Sequence, residues 1–182
     1  KARVLEERGR TDIIRLLSGH EVCYHTENHS VHPTITEYLL DMGFEAGANE
    51  FEKRERQGFL DVQRITGQFS TSYGQPGASW APQVFPVLKK WGVPTYVDSH
   101  QVISVDENPF WYGGILNLTR LWATMRMDLE EGGLERAKAE FDEICNKADA
   151  EQCQLISIYY HPCEFSSTEF WDGVNYSRGI NT

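Results

Sequence analysis

What this sequence lacks narrows it first. Its four cysteines (Cys23, Cys145, Cys153 and Cys163) form no CxxC pair, which argues against a structural zinc knuckle. They read either as up to two disulfides or, by preference, as small buried hydrophobes. No apolar run approaches the ~20 residues of a spanning helix, so no membrane insertion is expected. Basic charge is also short: 17 Lys and Arg stand against 27 Asp and Glu, for a net charge of −10. Scattered cations on an acidic chain oppose a groove that tracks phosphates, so nucleic acid is not an expected partner. Internal repeats, low-complexity tracts and a signal-like N-terminal segment are all missing. The opening "KARVLEERGR", with no Met, reads as a processed product or a fragment.

What is present suits one globular domain spanning 1–182, with 40% hydrophobic and 12% aromatic residues to build a core. Residues 2–17 read as a helix stopped at Gly19, and "HEVCYH" as a short strand. Thr34 with Glu37 three residues on makes a capping-box start for the next helix. In "NEFEKRERQGFLDVQRI", Glu50/Arg54 and Glu52/Arg56 pair at i, i+4 on an exposed face. Phe51, Phe59, Val62 and Ile65 line the other face, and Gly58 weakens the helix. "GQFSTSYG" and "VPTYVDS" read as strands flanking a helix in "QVFPVLKKWG", with Pro86 near its first turn. "HQVISVDENPFWYGG" reads as an irregular aromatic loop. Residues 115–129 are assigned to a helix on the stripe Ile115, Leu118, Trp122, Met125 and Leu129. Residues 134–148 form another helix, and "QLISIYYHP" a buried strand. The alternation predicts an α/β fold with a largely parallel sheet, open or closed into a barrel. In both forms active groups gather at the carboxyl ends of strands. Three strands here end in "YHTENH", "YVDSH" and "YYHPCE".

Four of the six histidines fall between residues 19 and 33: His20, His25, His29 and His32. His25 and His29, four apart, reach one ion if they sit on a turn after the strand; otherwise they cap and hydrogen bond. His20 is read as satisfying a core hydrogen bond. His32, before Pro33, is read as a loop residue that could substitute for His29. His161 ends an apolar strand, where a general acid or base would face the sheet rim, or else bonds a backbone carbonyl. Asp98 ends its own strand in the matching place, either tuning a histidine or capping a turn, with His100 a competitor. Of the loop aromatics, Tyr73, Trp80, Phe110, Trp111, Tyr112, Phe170 and Trp171 offer ring faces to sugars or pack under the loops. Trp91 and Trp122 are assigned to the core.

"GHEVCYHTENH" resembles the GHE-(I/V)-x-x-H-(S/T)-x-x-H segment of polysaccharide deacetylases, carbohydrate esterases with a nodulation-type deacetylase homology domain. "SYGQPGASWAPQVFPVLKKWGVPTYVDS" resembles that family's stretch from an R-x-P-x-G loop, through a helix, to a strand ending in Asp. "ISIYYHP" is similar to its strand ending in an acid histidine. The resemblance implies a distorted (β/α)7-type barrel, incomplete at both ends in this chain. It implies a divalent metal, usually zinc, on His25 and His29, with His161 as catalytic acid and Asp98 its tuning partner. Tyr73, Gln75 and Trp80 are implied as substrate-binding. The implied activity removes acetyl groups from N- or O-acetylated sugars, a substrate class that points to a secreted or periplasmic site. Two departures stand out. The family's Asp-Asp motif is absent from this chain, with its expected place upstream of Lys1. Gln75 stands where the family has a loop arginine, and a neutral amide cannot fork a carboxylate. Two alternatives therefore accompany the deacetylase reading: a catalytically inactive carbohydrate-binding barrel, and a metal hydrolase of a different C–N bond.

Overall fold

The computed structural model describes residues 2–29, 31–76, 79–97, 108–118, 123–124, 132–153 and 155–160. The chain is mixed α/β and forms two compact units, residues 1–120 and 121–182.

The first unit opens with α1 (Ala2–Glu7) and α2 (Thr11–Leu17) rather than one helix through residue 17. Gly9 enters the left-handed region at φ 64°, and the Arg10 N–H reaches back to the Leu5 carbonyl at 2.8 Å. That closure ends α1, because a left-handed residue cannot continue a right-handed helix. The short α3 (Ile35–Leu39) begins at the expected capping box, with the Thr34 N–H donating to Glu37 Oε2 at 2.7 Å. The long α4 (Phe44–Thr66) follows, and Gly67 caps it at φ 69°. Glu50 pairs with Arg54 at 2.7 Å as the spacing predicts. Glu52 instead takes Lys90 at 2.7 Å, because the neighbouring helix brings a cation closer than its own next turn does.

Three parallel strands form the sheet's heart: β1 (Ser72–Gly74), β2 (Thr95–Val97) and β4 (Ile115–Leu118), with β3 (Phe110–Tyr112) antiparallel at the edge beside β4. Between β1 and β2 lie a 3-10 turn (Pro82–Val84) and α5 (Phe85–Trp91), with Pro86 in the first turn as expected. Tyr73, Tyr96 and Asn117 share one register row, and all three are fully buried. Asn117 therefore sits inside the sheet, its amide donating to the Ile115 carbonyl at 2.9 Å.

Two sequence expectations fail here for one reason. Phe110–Tyr112 is a strand rather than irregular loop, and 115–118 is a strand rather than the start of a helix. Gly113 and Gly114, at φ 59° and 78°, make the two-residue hairpin turn that joins them. Both central positions need positive φ in such a turn, and a Gly-Gly pair supplies it without a Cβ penalty. Ile115 is consistent with either period, so the stripe alone could not decide. Leu118 is half-buried in β4, and Trp122, Met125 and Leu129 lie outside the described residues.

The core gathers rings between α4, α5 and the sheet. Phe51 and Phe59 stack on Trp91 at 5.8 and 4.6 Å, and Phe85 stacks on Tyr96 at 5.1 Å. Each such ring contributes roughly 1.5–3 kcal/mol on burial, which fixes α4 against the sheet despite its charged outer face.

The second unit contains α6 (Gly133–Ala150) and a parallel pair, β5 (Ala123–Thr124) with β6 (Ile158–Tyr159). Ala137, Ile144 and Ala148 are buried on α6, whereas Leu134 and Phe141 are exposed. Of the expected buried strand 154–162, the described residues 155–160 hold the two-residue strand β6. Leu155, Ile156, Tyr159 and Tyr160 are all exposed, because β6 pairs with one short strand only among the described residues. No described helix is long and apolar enough to cross a membrane.

Candidate functional site

The predicted strand "HEVCYH" contracts to a single bridging residue. The Tyr24 N–H donates to the Ser72 carbonyl at 3.1 Å, and the Gly74 N–H donates to the Tyr24 carbonyl at 3.0 Å. Immediately afterwards the chain turns, with Thr26 at φ 64° and His29 at φ 53°. The Thr26 hydroxyl donates to the His29 carbonyl at 3.3 Å, closing the turn on itself.

That turn brings His25 and His29 together at the carboxyl end of β1, with ring centroids 4.9 Å apart and planes at 61°. His25 Nδ1–H donates to the Gly74 carbonyl at 2.7 Å. A carbonyl only accepts, so this bond places the neutral ring's proton on Nδ1. Gly74 suits the contact, because a Cβ there would stand 3.2 Å from His25 Nδ1. His25 is exposed and His29 half-buried. Among the described residues, no group of three or more His, Cys, Asp or Glu side chains could hold a metal ion.

The other histidines fall elsewhere. His20 is exposed rather than bonded in the core. His32 is exposed and pairs its Nδ1 with Glu37 at 2.8 Å, tying it to the cap of α3 and away from the role of His29. Asp98, His100 and His161 lie outside the described residues, as do Phe170, Trp171 and Cys163. Cys23 is free and exposed, against its reading as a buried hydrophobe, since it precedes a bridge rather than lying inside a sheet.

The residues implied to bind substrate divide. Tyr73 is fully buried, with rings of Tyr24, Phe51 and Tyr96 within 6.1 Å, so its faces meet protein and no sugar can stack on them. Gln75 is 3% exposed and satisfied within its own loop. Its oxygen accepts from Tyr73 Oη at 3.4 Å, and its amide donates to Ser79 Oγ at 2.9 Å. Trp80 is half-buried against Phe85 and Tyr112, at 5.3 and 5.0 Å. Trp111 presents the most open ring, 71% exposed on edge strand β3.

Sequence reasoning missed Glu55, to which the charge pairs at i, i+4 on α4 assign no role. It is 4% exposed. Oε2 accepts from Tyr24 Oη at 2.6 Å and from the Glu27 N–H at 2.7 Å. Burial lifts its carboxyl to about 7, against the opposing pull of the Tyr24 hydroxyl and the Arg54 charge. Burial also pushes the Tyr24 and Tyr38 hydroxyls well above the ordinary phenol range, helped by the carboxylate of Glu55. A signal was available: Phe51, Glu55 and Phe59 are spaced i, i+4, i+8, so the charge interrupts the apolar stripe itself. Glu55 joins Thr26, Asn28, His29, Val31, Ile35, Tyr38 and Arg54 around a cavity of about 180 Å³, with the Arg54 guanidinium 4.3 Å above the Tyr38 ring.

With this geometry in hand, no family model, curated protein or solved structure matches the chain.

Proposed function

We propose that this chain is a metal-dependent hydrolase that removes acetyl groups from N- or O-acetylated polysaccharide, built on a divergent deacetylase-like (β/α)7-type barrel. The observation that carries the reading is the His25–His29 pair, with rings 4.9 Å apart and Nδ1–H of His25 held by the Gly74 carbonyl. A metal-binding imidazole characteristically donates its other N–H to a carbonyl or carboxylate, which fixes the tautomer and strengthens the ligand. The donors fit a divalent ion favoured by imidazole, zinc first, as two ligands of the three a catalytic site commonly uses.

Such an ion, when bound, supplies Lewis acidity to the acetyl carbonyl and acidifies a water. The chain's own residues do the rest. His161, as an imidazolium, gives its proton to the departing amine or alcohol, with Asp98 as the carboxylate that favours that charged form. These two roles rest on the resemblance of "ISIYYHP" and of the stretch ending "GVPTYVDS". Trp80 remains the candidate sugar contact of the three first implied, while Tyr73 and Gln75 are buried.

One observation favours a second reading, a carbohydrate-binding barrel without chemistry. Gln75 spends its amide inside its own loop rather than on a catalytic carboxylate. Elemental analysis separates the two, using purified protein and a His25→Ala/His29→Ala variant. About one zinc per chain, absent from the variant, supports the hydrolase and leads to acetyl-release assays on acetylated sugars beside cyclic amides. No metal in either protein after zinc soaking defeats it and leaves the binding reading.

A further inference from the structure

We propose that Glu55 is the positioning residue of the histidine pair: one oxygen of its carboxylate anchors the turn that carries His25 and His29. This deepens the hydrolase reading and rests on it for the role of the pair.

The turn needs an external anchor. Thr26 and His29 both adopt left-handed backbone without being glycine, a costly conformation that persists only where surroundings over-determine it. Glu55 provides bonds on both sides of His25. Its Oε2 takes the hydroxyl of Tyr24, the residue before His25, and the N–H of Glu27, between the two histidines. The Tyr24 hydroxyl also lies 3.0 Å from the Glu55 carbonyl, so the ring is tied to helix backbone as well as side chain. Glu55 itself sits midway along a 23-residue helix whose inner face is locked by Phe51 and Phe59. A rigid element thus sets the position of a mobile kind of structure, a turn, as a preorganised site requires.

The adjacent residues are shaped to let this happen. Gly58, one turn beyond Glu55, leaves room for Tyr24 Oη, and a Cβ there would stand 2.8 Å from it. Glu27 turns its carboxylate to an ion pair with Arg3, while its backbone N–H faces Glu55. Glu55 bonds the Tyr24 hydroxyl and the Glu27 backbone. It acts on the imidazoles through Tyr24 and Glu27, and the cavity wall it shares with Thr26, Asn28 and His29 follows from the same placement.

The test compares wild type, Glu55→Gln and Glu55→Leu, with zinc alone as the probe and nitrogen NMR of the two imidazoles in metal-free protein. Glutamine keeps an oxygen able to accept both bonds; leucine keeps the volume and accepts neither. Folded Glu55→Leu is expected to bind zinc roughly 10- to 100-fold more weakly, and Glu55→Gln to stay within about threefold of wild type. In metal-free protein the Nδ1–H tautomer of His25 should dominate in wild type and Glu55→Gln, and become mixed in Glu55→Leu. Unchanged zinc affinity and unchanged ring signals in folded Glu55→Leu overturn the proposal. If wild type binds no zinc, the hydrolase reading falls, and the tautomer comparison alone decides whether Glu55 positions the pair. If Glu55→Leu does not fold, Tyr24→Phe replaces it, keeping the buried ring and removing one donor. Zinc affinity and ring signals like those of wild type in Tyr24→Phe then overturn the proposal, and a loss in either supports it.

Discussion

Replacing Gly58 by alanine sets two opposed effects against each other. In an ordinary helix interior the change stabilises by about 1 kcal/mol, because glycine gives up more backbone freedom on folding. At Gly58 the new Cβ would stand 2.8 Å from Tyr24 Oη and would also meet the Glu27 carboxylate. Glu27 ends a flexible side chain and can swing aside. Tyr24 cannot. It is 2% exposed, its ring lies edge-on to Phe59 at 5.8 Å, and its hydroxyl is bonded to Glu55 at 2.6 Å. Forcing such a ring to shift costs about 1–3 kcal/mol in overpacking. Loosening a hydrogen bond to a charged acceptor adds about 1.5–3 kcal/mol at full loss, and part of that at partial loss. Set against the propensity gain, the net effect is destabilisation of roughly 2 kcal/mol. Urea unfolding followed by tryptophan fluorescence measures it, since Trp91 stacks on Phe59 beside the perturbed ring. In a Glu27→Ala background the penalty should shrink without vanishing, because the Tyr24 contact persists. A Gly58→Ala protein more stable than wild type by about 1 kcal/mol would refute the packing argument and show an ordinary helical glycine.

The remaining predictions use the same core and site. The Glu55 carboxyl is raised from 4.5 to about 7 by burial, so the folded chain holds that proton more tightly than the unfolded chain does. Its contribution is therefore complete below about 4.5 and lost as pH rises through about 7. The stability of wild type relative to Glu55→Gln should fall on the order of 3 kcal/mol across that window, measured by urea titrations at stepped pH. A difference that stays flat with pH would show that Glu55 is not buried as described. Phe51→Ala, which empties a fully buried ring site between Tyr73 and Trp91, should cost about 3–5 kcal/mol in thermal or urea unfolding. A loss under about 1 kcal/mol would place that ring outside the core.

Much of the local structure was legible because it depends on neighbours in sequence. The Thr34–Glu37 box, the Glu50–Arg54 pair, the Pro86 start of α5 and the apolar face of α6 all follow from spacing along one helix. The β3–β4 hairpin was written in the sequence too, as Gly113–Gly114 between "FWY" and "ILNL". It was read past because Ile115 and Leu118 also satisfy a helical period over a short window. The resemblance picked out His25 and His29, and the turn brings those two residues together.

What the sequence by itself determined is the mixed α/β class, most helix starts and the histidine pair, since each is set by period, capping chemistry or short spacing. Tertiary structure alone decided which polar residues are buried. Tyr73 and Gln75 became core and loop support because β1 lies beneath α4. Glu55 became the anchor of the turn because residues 24 and 27, some thirty positions away, pack onto its face of the helix. Burial of a charge is a property of what folds over it. No pattern along one strand or helix can state that partner, because the partner arrives only when the chain closes.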